Sequence, residues 1–358
     1  MAFLPARTQV PKRRLLHMPD VVSLDTYSVI LVWTAIAIYT LAFIVYAVDL
    51  SRRSQESIEQ HDAAESRQRE KVGALNAASA SPVGVDSRAA DSSAAPIGAA
   101  KAPRRVFSRI GTALTVLGFL MHLGGTLLRG IAAERVPWAN MWEFAMTGTL
   151  LIMAVYLGVQ FWKDLRFLGT FMTGLVVVLL GASSTFYVAI VPLMDPLKSV
   201  WLVIHVFVAS LSTAFLALAF GLSVMQLLQA RRERLAVVAA ENGGGPKRSF
   251  LRTLPSAEAL EGLAYRLAII GFILWTFTLI AGAIWAQDAW GRYWGFDVKE
   301  VWTFIIWVLY AGYIHARATR GWRGTRSAWL AIVGFVAVIF NFTIVNMYFD
   351  GLHAYSGL

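Results

Sequence analysis

At 358 residues the chain is 57% hydrophobic and 13% aromatic, and only 15% of it is charged, against roughly 25% in soluble domains. Several apolar runs reach the ~20 residues that cross a bilayer as helix, so the composition excludes a soluble globular protein and predicts an all-α, polytopic membrane protein. The net charge of +10 would point to nucleic acid in a soluble chain, but the basic residues sit in loops beside the apolar runs, and no nucleic-acid partner is expected. Cysteine is absent, which excludes a disulfide, a thiolate metal site and a redox dithiol of the chain's own.

Eight spans are predicted in chain order, at about 27–48, 109–128, 142–162, 167–187, 200–229, 262–285, 301–318 and 327–348. The first is long and is followed by no small-residue cleavage site, so it reads as a span rather than a signal peptide. Between it and the second lies 51–108, which begins polar and helix-compatible and turns into "ALNAASASPVGVDSRAADSSAAPIGAAKAP". That tract buries too little apolar surface to offset its ordering entropy and is expected to be a disordered cytoplasmic linker. The organisation is thus an N-terminal segment with one span over 1–50, the linker over 51–108 and a membrane domain over 109–358. A second short linker, "ENGGGPKRS", separates the fifth and sixth spans.

Lys and Arg concentrate in connections 51–108, 163–166, 230–252 and 316–326, and thin out in the alternate set 1–26, 129–138, 190–199, 286–300 and the C-terminal tail. The positive-inside rule places the first set in the cytoplasm and puts both termini and the 286–300 connection outside, in a multi-pass protein of the plasma (inner) membrane. Lys12, Arg13 and Arg14 run against this rule at the first span, where the other loops decide.

Ionisable groups inside spans are costly and mark function by default. His205, in "VWLVIHVFVAS", lies within about two turns of the outer end of the fifth span, and His353, in "FDGLHAYSGL", comes after the eighth on the same side. Between them in sequence comes "WGRYWGFDVKEVW", residues 290–302, crowding five aromatic rings, two Gly and four charged side chains between apolar segments. Two imidazoles bracketing an aromatic ledge fit two axial ligands and a face for a porphyrin; interfacial histidines bonded to lipid headgroups fit equally. Trp290, Tyr293, Trp294 and Phe296 offer stacking faces. Arg292 and Lys299 offer cations for carboxylates, and Asp297 and Glu300 are placed to orient those cations, to cap the seventh helix, or to do both. By composition alone the loop could also cover a quinone or a lipid. His315, in "YAGYIHARATR", falls about 20 Å inward of Trp302, too far for the outer site; it is either satisfied by a neighbouring helix or part of a second, deeper site. His122, in "GFLMHLGG", is flanked by glycines and reads as a buried polar contact rather than a ligand.

The stretch "WAQDAWGRYWGFDVKEVWTFIIWVLYAGYIHARATRGWRG" resembles the tryptophan-rich WWD signature of haem-handling proteins, and more narrowly the CcsA/CcsB/ResC family of system II cytochrome c maturation. "RVPWANMWEF", "VPLMDPLKSVWLVIHV", "YRLAIIGFILWTFTLIAGAIWA" and the ending "VNMYFDGLHAYSGL" extend the resemblance over most of the chain after the linker. Phe296 stands where the family more often has Trp, and Val298 where it has Pro; an aromatic ring is kept and an indole N–H donor is absent. The resemblance implies that His205 and His353 ligate the iron of haem b beneath the loop. It also implies that His315 holds haem within the membrane, with the opposite ligand supplied by a ResB-like partner.

The same resemblance implies a membrane component of cytochrome c maturation. It would transport or hold haem and present it outside for thioether attachment to Cys-x-x-Cys-His apocytochrome c, as the haem-handling subunit of a synthase. A thioredoxin-like reductant would keep the thiols of the client reduced, and lipid would surround the spans. The other classes in play are a haem exporter with no role in ligation and a non-catalytic assembly subunit whose loop docks a partner.

Overall fold

The computed structural model describes residues 18–79, 106–242, 249–319 and 321–353. All regular structure among them is helical: α1 (Met18–Ser79), α2 (Val106–Ala133), α3 (Met141–Val159), α4 (Gly169–Ser183), α5 (Val200–Glu241), α6 (Ala257–Trp290), α7 (Val298–Thr319), α8 (Thr325–Phe342) and the short α9 (Ile344–Tyr348), joined by single 3-10 turns. Seven segments are long and apolar enough to cross a membrane: Val22–Arg53, Val106–Ala133, Met141–Val159, Arg166–Phe186, Val200–Glu241, Ala257–Trp290 and Thr325–Tyr348.

The predicted seventh crossing, α7, is not among these seven segments, because Trp, Tyr, His and Arg interrupt its apolar pattern. It packs antiparallel to the first half of α6. Near the start of α7 the Trp275 indole Nε1–H donates to the Thr303 carbonyl at 3.0 Å, and Trp307 Nε1–H donates to Thr276 Oγ1 at 3.0 Å. Toward its other end Arg317 Nε–H donates to Glu261 Oε1 at 3.1 Å, and Glu261 stands in the first turns of α6.

Helix ends obey local chemistry. Asn140 caps α3 through Oδ1 to Glu143 N–H, and Ser199 and Ser256 cap α5 and α6 in the same manner. Gly291 closes α6 in the left-handed region at φ 70°, a C-terminal stop that glycine adopts at no steric cost. α1 does not end at the membrane: it continues to Ser79, which makes the first half of the expected 51–108 linker helix rather than coil. Residues 80–105, with the Ala/Ser/Pro-rich tract, and 243–248 of the second linker lie outside the described residues.

α5 is central, flanked by α3, α6 and α8, while α1 lies along α2 and α4. The α1–α2 contact is set by glycine: Gly111, Gly118 and Gly125, spaced by seven on α2, receive Tyr46, Tyr39 and Val32, spaced by seven on α1. Small residues at that spacing let two membrane helices approach closely. His122 lies within this seam, fully buried and edge-on to Tyr39 at 6.1 Å.

The connections sort onto two ends. One end gathers Asp25, Arg129, Glu143 and Val188 in one hydrogen-bonded cluster, together with the Pro196–Trp285 and Ser199–Asp288 bonds and the 291–297 loop beside His353. The other gathers the Tyr46–Thr112, Tyr156–Leu165 and Glu261–Gly324 bonds. This is the partition that the charge alternation predicts.

Candidate functional site at the loop-bearing end

A cavity of about 230 Å³ opens between α3, α5, α6, α7 and α8 at the end that carries the 291–297 loop, with His205, His353, Tyr293, Trp294 and Lys299 among its walls. Its deeper part is apolar, bounded by Ile152, Ala209, Trp275, Phe335 and Val338; its α7–α9 side is polar, with Lys299, Glu300, Thr303, Asn341 and Asn346.

His205 stands in the second turn of α5, half-buried. Its ring lies parallel to Trp285, 16° apart in plane and 5.9 Å between centroids, and its Nδ1 is 3.0 Å from the Thr278 carbonyl. A carbonyl only accepts, so Nδ1 carries the proton and Nε2 keeps its lone pair. The close approach depends on Gly282, where an added Cβ would sit 2.7 Å from the imidazole Cε1 and 2.9 Å from Nδ1.

His353 reaches the same cavity from the C-terminal tail. Its ring meets the edges of Trp285 at 5.4 Å and Trp290 at 4.8 Å, and its Nδ1 is 2.7 Å from Asp297 Oδ2. The ionised carboxylate also only accepts, so Nδ1 again donates and Nε2 is left as the free lone pair. The hydrogen bond from His353 is the foremost cause holding the Asp297 carboxyl below the usual carboxylate range, ahead of the opposing effect of its partial burial. Both imidazoles thus lie within 6 Å of one indole, Trp285, and among the described residues neither Nε2 has a partner.

The loop is held by its acids. Asp297 Oδ2 accepts from Lys299 N–H at 3.3 Å, while Glu300 Oε2 accepts from Asp297 N–H at 3.1 Å and Gly295 N–H at 2.8 Å. This reciprocal pair is a capping box at the start of α7. Both readings open for these acids have support: they cap α7, and Glu300 also stands 4.0 Å from the Arg292 guanidinium. Arg292 lies against the backbone of Gly295 with its guanidinium 4.0 Å from Glu300, off the cavity wall. Lys299 lines the cavity and donates to Asn346 Oδ1; among the described residues it forms no ion pair.

The predicted aromatics divide. Tyr293 and Trp294 face the cavity; Trp290, at the last turn of α6, packs on Trp285 and His353 instead. Phe296 is 78% exposed and edge-on to Trp294, outside the cavity wall, with its backbone at φ 58°. His315 is exposed on α7 near the opposite end of the bundle, remote from the cavity, and its carbonyl accepts from Thr319.

Sequence reasoning missed Trp285, Gly282, Asn346 and Trp138 as site residues. Trp285 stacks on His205, meets His353 edge-on and donates from Nε1 to the Pro196 carbonyl at 2.9 Å, fixing the turn before α5. Trp138 belongs to a second wall, held by a buried ionic cluster. Arg129 donates to Asp25 Oδ1 at 2.5 Å, to Glu143 Oε1 at 3.0 Å and to the Val188 carbonyl at 2.7 Å; Arg135 and Ala139 N–H complete Glu143, and Tyr187 completes Asp25. The signal for this cluster was the string "RVPWANMWEF" with one acid and one base embedded in an apolar context.

The fold and site define a polytopic helical membrane protein with two converging imidazoles and an indole-rich ledge at one end of the bundle. Residues 138–353 match the family described as Cytochrome C assembly protein. The chain is 32% identical over 305 residues to the cytochrome c biogenesis protein CcsA of Gloeobacter violaceus, covering 72% of this chain and 90% of that one. It is 33% identical over 245 residues to CcsA of Mesostigma viride, covering 64% and 80%. Against CcsA of Parasynechococcus marenigrum the identity is 39% over 177 residues, 46% of this chain and 58% of that one, so the match spans little more than half of that relative. Among solved structures, the cytochrome c haem lyase CcmF superposes with a TM-score of 0.56 at 15% identity, over 94% of this chain and 48% of that one, a likeness of fold. The chain belongs to the cytochrome c assembly protein family and is a CcsA-type membrane protein of cytochrome c biogenesis.

Proposed function

We propose that this chain holds haem b at the cavity between His205 and His353 and presents it, on the outer face of the plasma membrane, for thioether attachment to Cys-x-x-Cys-His apocytochrome c. The observation that carries the reading is the convergence of two histidines 148 positions apart on one indole and one cavity, each with Nδ1 engaged and Nε2 free. The donor set fits the group. Two imidazoles with Nδ1 engaged suit iron, the aromatic faces of Trp294 and Tyr293 suit a macrocycle, and Lys299, in no ion pair among the described residues, supplies a cation for a propionate.

When bound, haem would supply the vinyl groups to which client thiols add. His205, held by helix α5, Thr278 and Trp285, and His353, held by Asp297, would hold its iron. Their role is proximity: they keep the ring in one orientation so that the thiols and vinyl carbons meet face to face. The chain has no cysteine to compete for that addition. A ResB-like membrane partner is proposed to complete a second, inner position at His315, whose exposure on α7 leaves it accessible to another helix; a thioredoxin-like reductant maintains the client thiols. Positive-inside charge supports the assignment of sides.

The test is co-expression of the chain with its ResB-like partner and an apocytochrome in cells lacking maturation, with staining for covalent haem as the readout. Combined H205G and H353G substitution is expected to abolish the stain, and undiminished attachment in the double variant rules the reading out.

A further inference from the structure

Asp297 touches the tail at more than one point. Its Oδ2 accepts from His353 Nδ1 at 2.7 Å and its Oδ1 from Leu352 N–H at 2.9 Å, and the backbone of Gly351 lies so close that an added Cβ there would stand 2.3 Å from Oδ1. The same carboxylate caps α7 through Lys299 N–H. The last described residues of the chain are therefore gripped by the first residue of the loop-to-helix junction, across 56 positions of sequence. His205 has no such carboxylate; its Nδ1 meets a backbone carbonyl, and its ring is fixed by a helix and by Trp285.

We infer that Asp297 is the positioning residue of the C-terminal ligand: its carboxylate sets the tautomer of His353 and aims Nε2 into the cavity. The inference rests on the haem-holding role proposed above for the identity of the ligand, but not for the hydrogen bond itself. The physical basis is general. A histidine whose second nitrogen donates to a carboxylate is fixed in orientation and becomes a stronger ligand, and loss of the partner typically costs 10–100-fold in affinity. His205 keeps its place through the backbone of its helix. His353 stands outside any helix, and among the described residues it is gripped by the Asp297 carboxylate, directly and through Leu352 N–H, and by two indoles.

D297N is the discriminating change. Asparagine is as good an N-cap as aspartate, so α7 keeps its start, while the amide offers an N–H that can donate to Nδ1 and drive the proton onto Nε2. Two measurements apply to the purified full-length chain. In the haem-free protein, ¹⁵N spectra of labelled histidine report the ring tautomer: His353 is expected as the Nδ1–H form in the wild type, and as a mixture or the Nε2–H form in D297N. With haemin added, the wild type is expected to give a six-coordinate low-spin absorption spectrum. D297N is expected to bind about 10–100-fold more weakly, with a high-spin component that added imidazole converts back to low-spin.

G351A, which leaves both Asp297 and His353 in place but crowds Oδ1, is expected to reproduce the high-spin component, and it carries the same test should D297N fail to fold. A wild-type tautomer together with a fully low-spin haemin spectrum in D297N overturns the inference. If instead the wild type shows the ordered tautomer but takes up no haemin, the proposed function falls while the positioning by Asp297 stands.

Discussion

Gly282 is the most economical place to perturb the site, because it touches His205 without being a ligand. In G282A the new Cβ would lie 2.7 Å from the imidazole Cε1 and 2.9 Å from Nδ1, against 3.4 Å where ordinary contact begins. The ring must retreat by about 0.7 Å. Trp285 lies parallel to it 5.9 Å away, itself fixed by its bond to the Pro196 carbonyl, so the easiest retreat lengthens the 3.0 Å bond to the Thr278 carbonyl. Loss of that bond costs about 1 kcal/mol, and crowding in a packed interior adds about 1–3 kcal/mol. Because the cost falls on the arrangement that aims Nε2, haemin affinity of the purified chain is expected to drop about 10–100-fold.

The matched control is G262A on the same helix, where an added Cβ meets nothing within 4 Å. It is expected to bind like the wild type and to melt at the same temperature or slightly higher, since alanine restricts the unfolded chain. Equal haemin affinity in G282A and G262A refutes the argument that the approach of α5 to α6 at this glycine holds His205 in place.

Two further outcomes are expected. E143Q leaves Arg129 and Arg135 facing a neutral amide at a fully buried position; breaking a buried ion cluster on one side costs about 3–5 kcal/mol, read as a lowered thermal midpoint in detergent, and an unchanged midpoint would deny the cluster its role in holding the Trp138 wall. K299M removes the cation of the cavity wall. The wild type is expected to prefer haemin over its dimethyl ester, a preference that shrinks about 10–100-fold in K299M if one charge-assisted hydrogen bond of about 1.5–3 kcal/mol is lost; identical ester discrimination in both chains excludes a propionate at Lys299.

Much of this molecule is legible locally. Asp297 and Glu300 are readable as caps because a capping box spans only four positions, and Gly291 as a stop because it comes directly after the last apolar residue of α6. The aromatic loop announces itself by density. Direction is not legible in the same way. Arg292 and Lys299 are two cations seven positions apart in one loop, yet one folds back on Gly295 and the other enters the cavity. Phe296 and Trp294 are two positions apart, and only Trp294 lines the wall. Side-chain orientation in an irregular loop is set by its tertiary hydrogen bonds, here those of Glu300 to two backbone amides, and no periodicity encodes them.

By itself the sequence determined that the chain is all-helical and polytopic, because bilayer thickness acts on contiguous residues; seven of the eight predicted spans are long and apolar enough to cross a membrane, and α7, interrupted by polar and aromatic residues, is the one that is not. The tertiary structure alone decided that His205 would hand its Nδ1 proton to a carbonyl 73 residues away and His353 to a carboxylate 56 residues away. It also decided that Trp285 would pack against both rings. Those partners are brought together by helix packing at small residues such as Gly282, and a hydrogen bond across that distance in sequence exists only once the helices have docked.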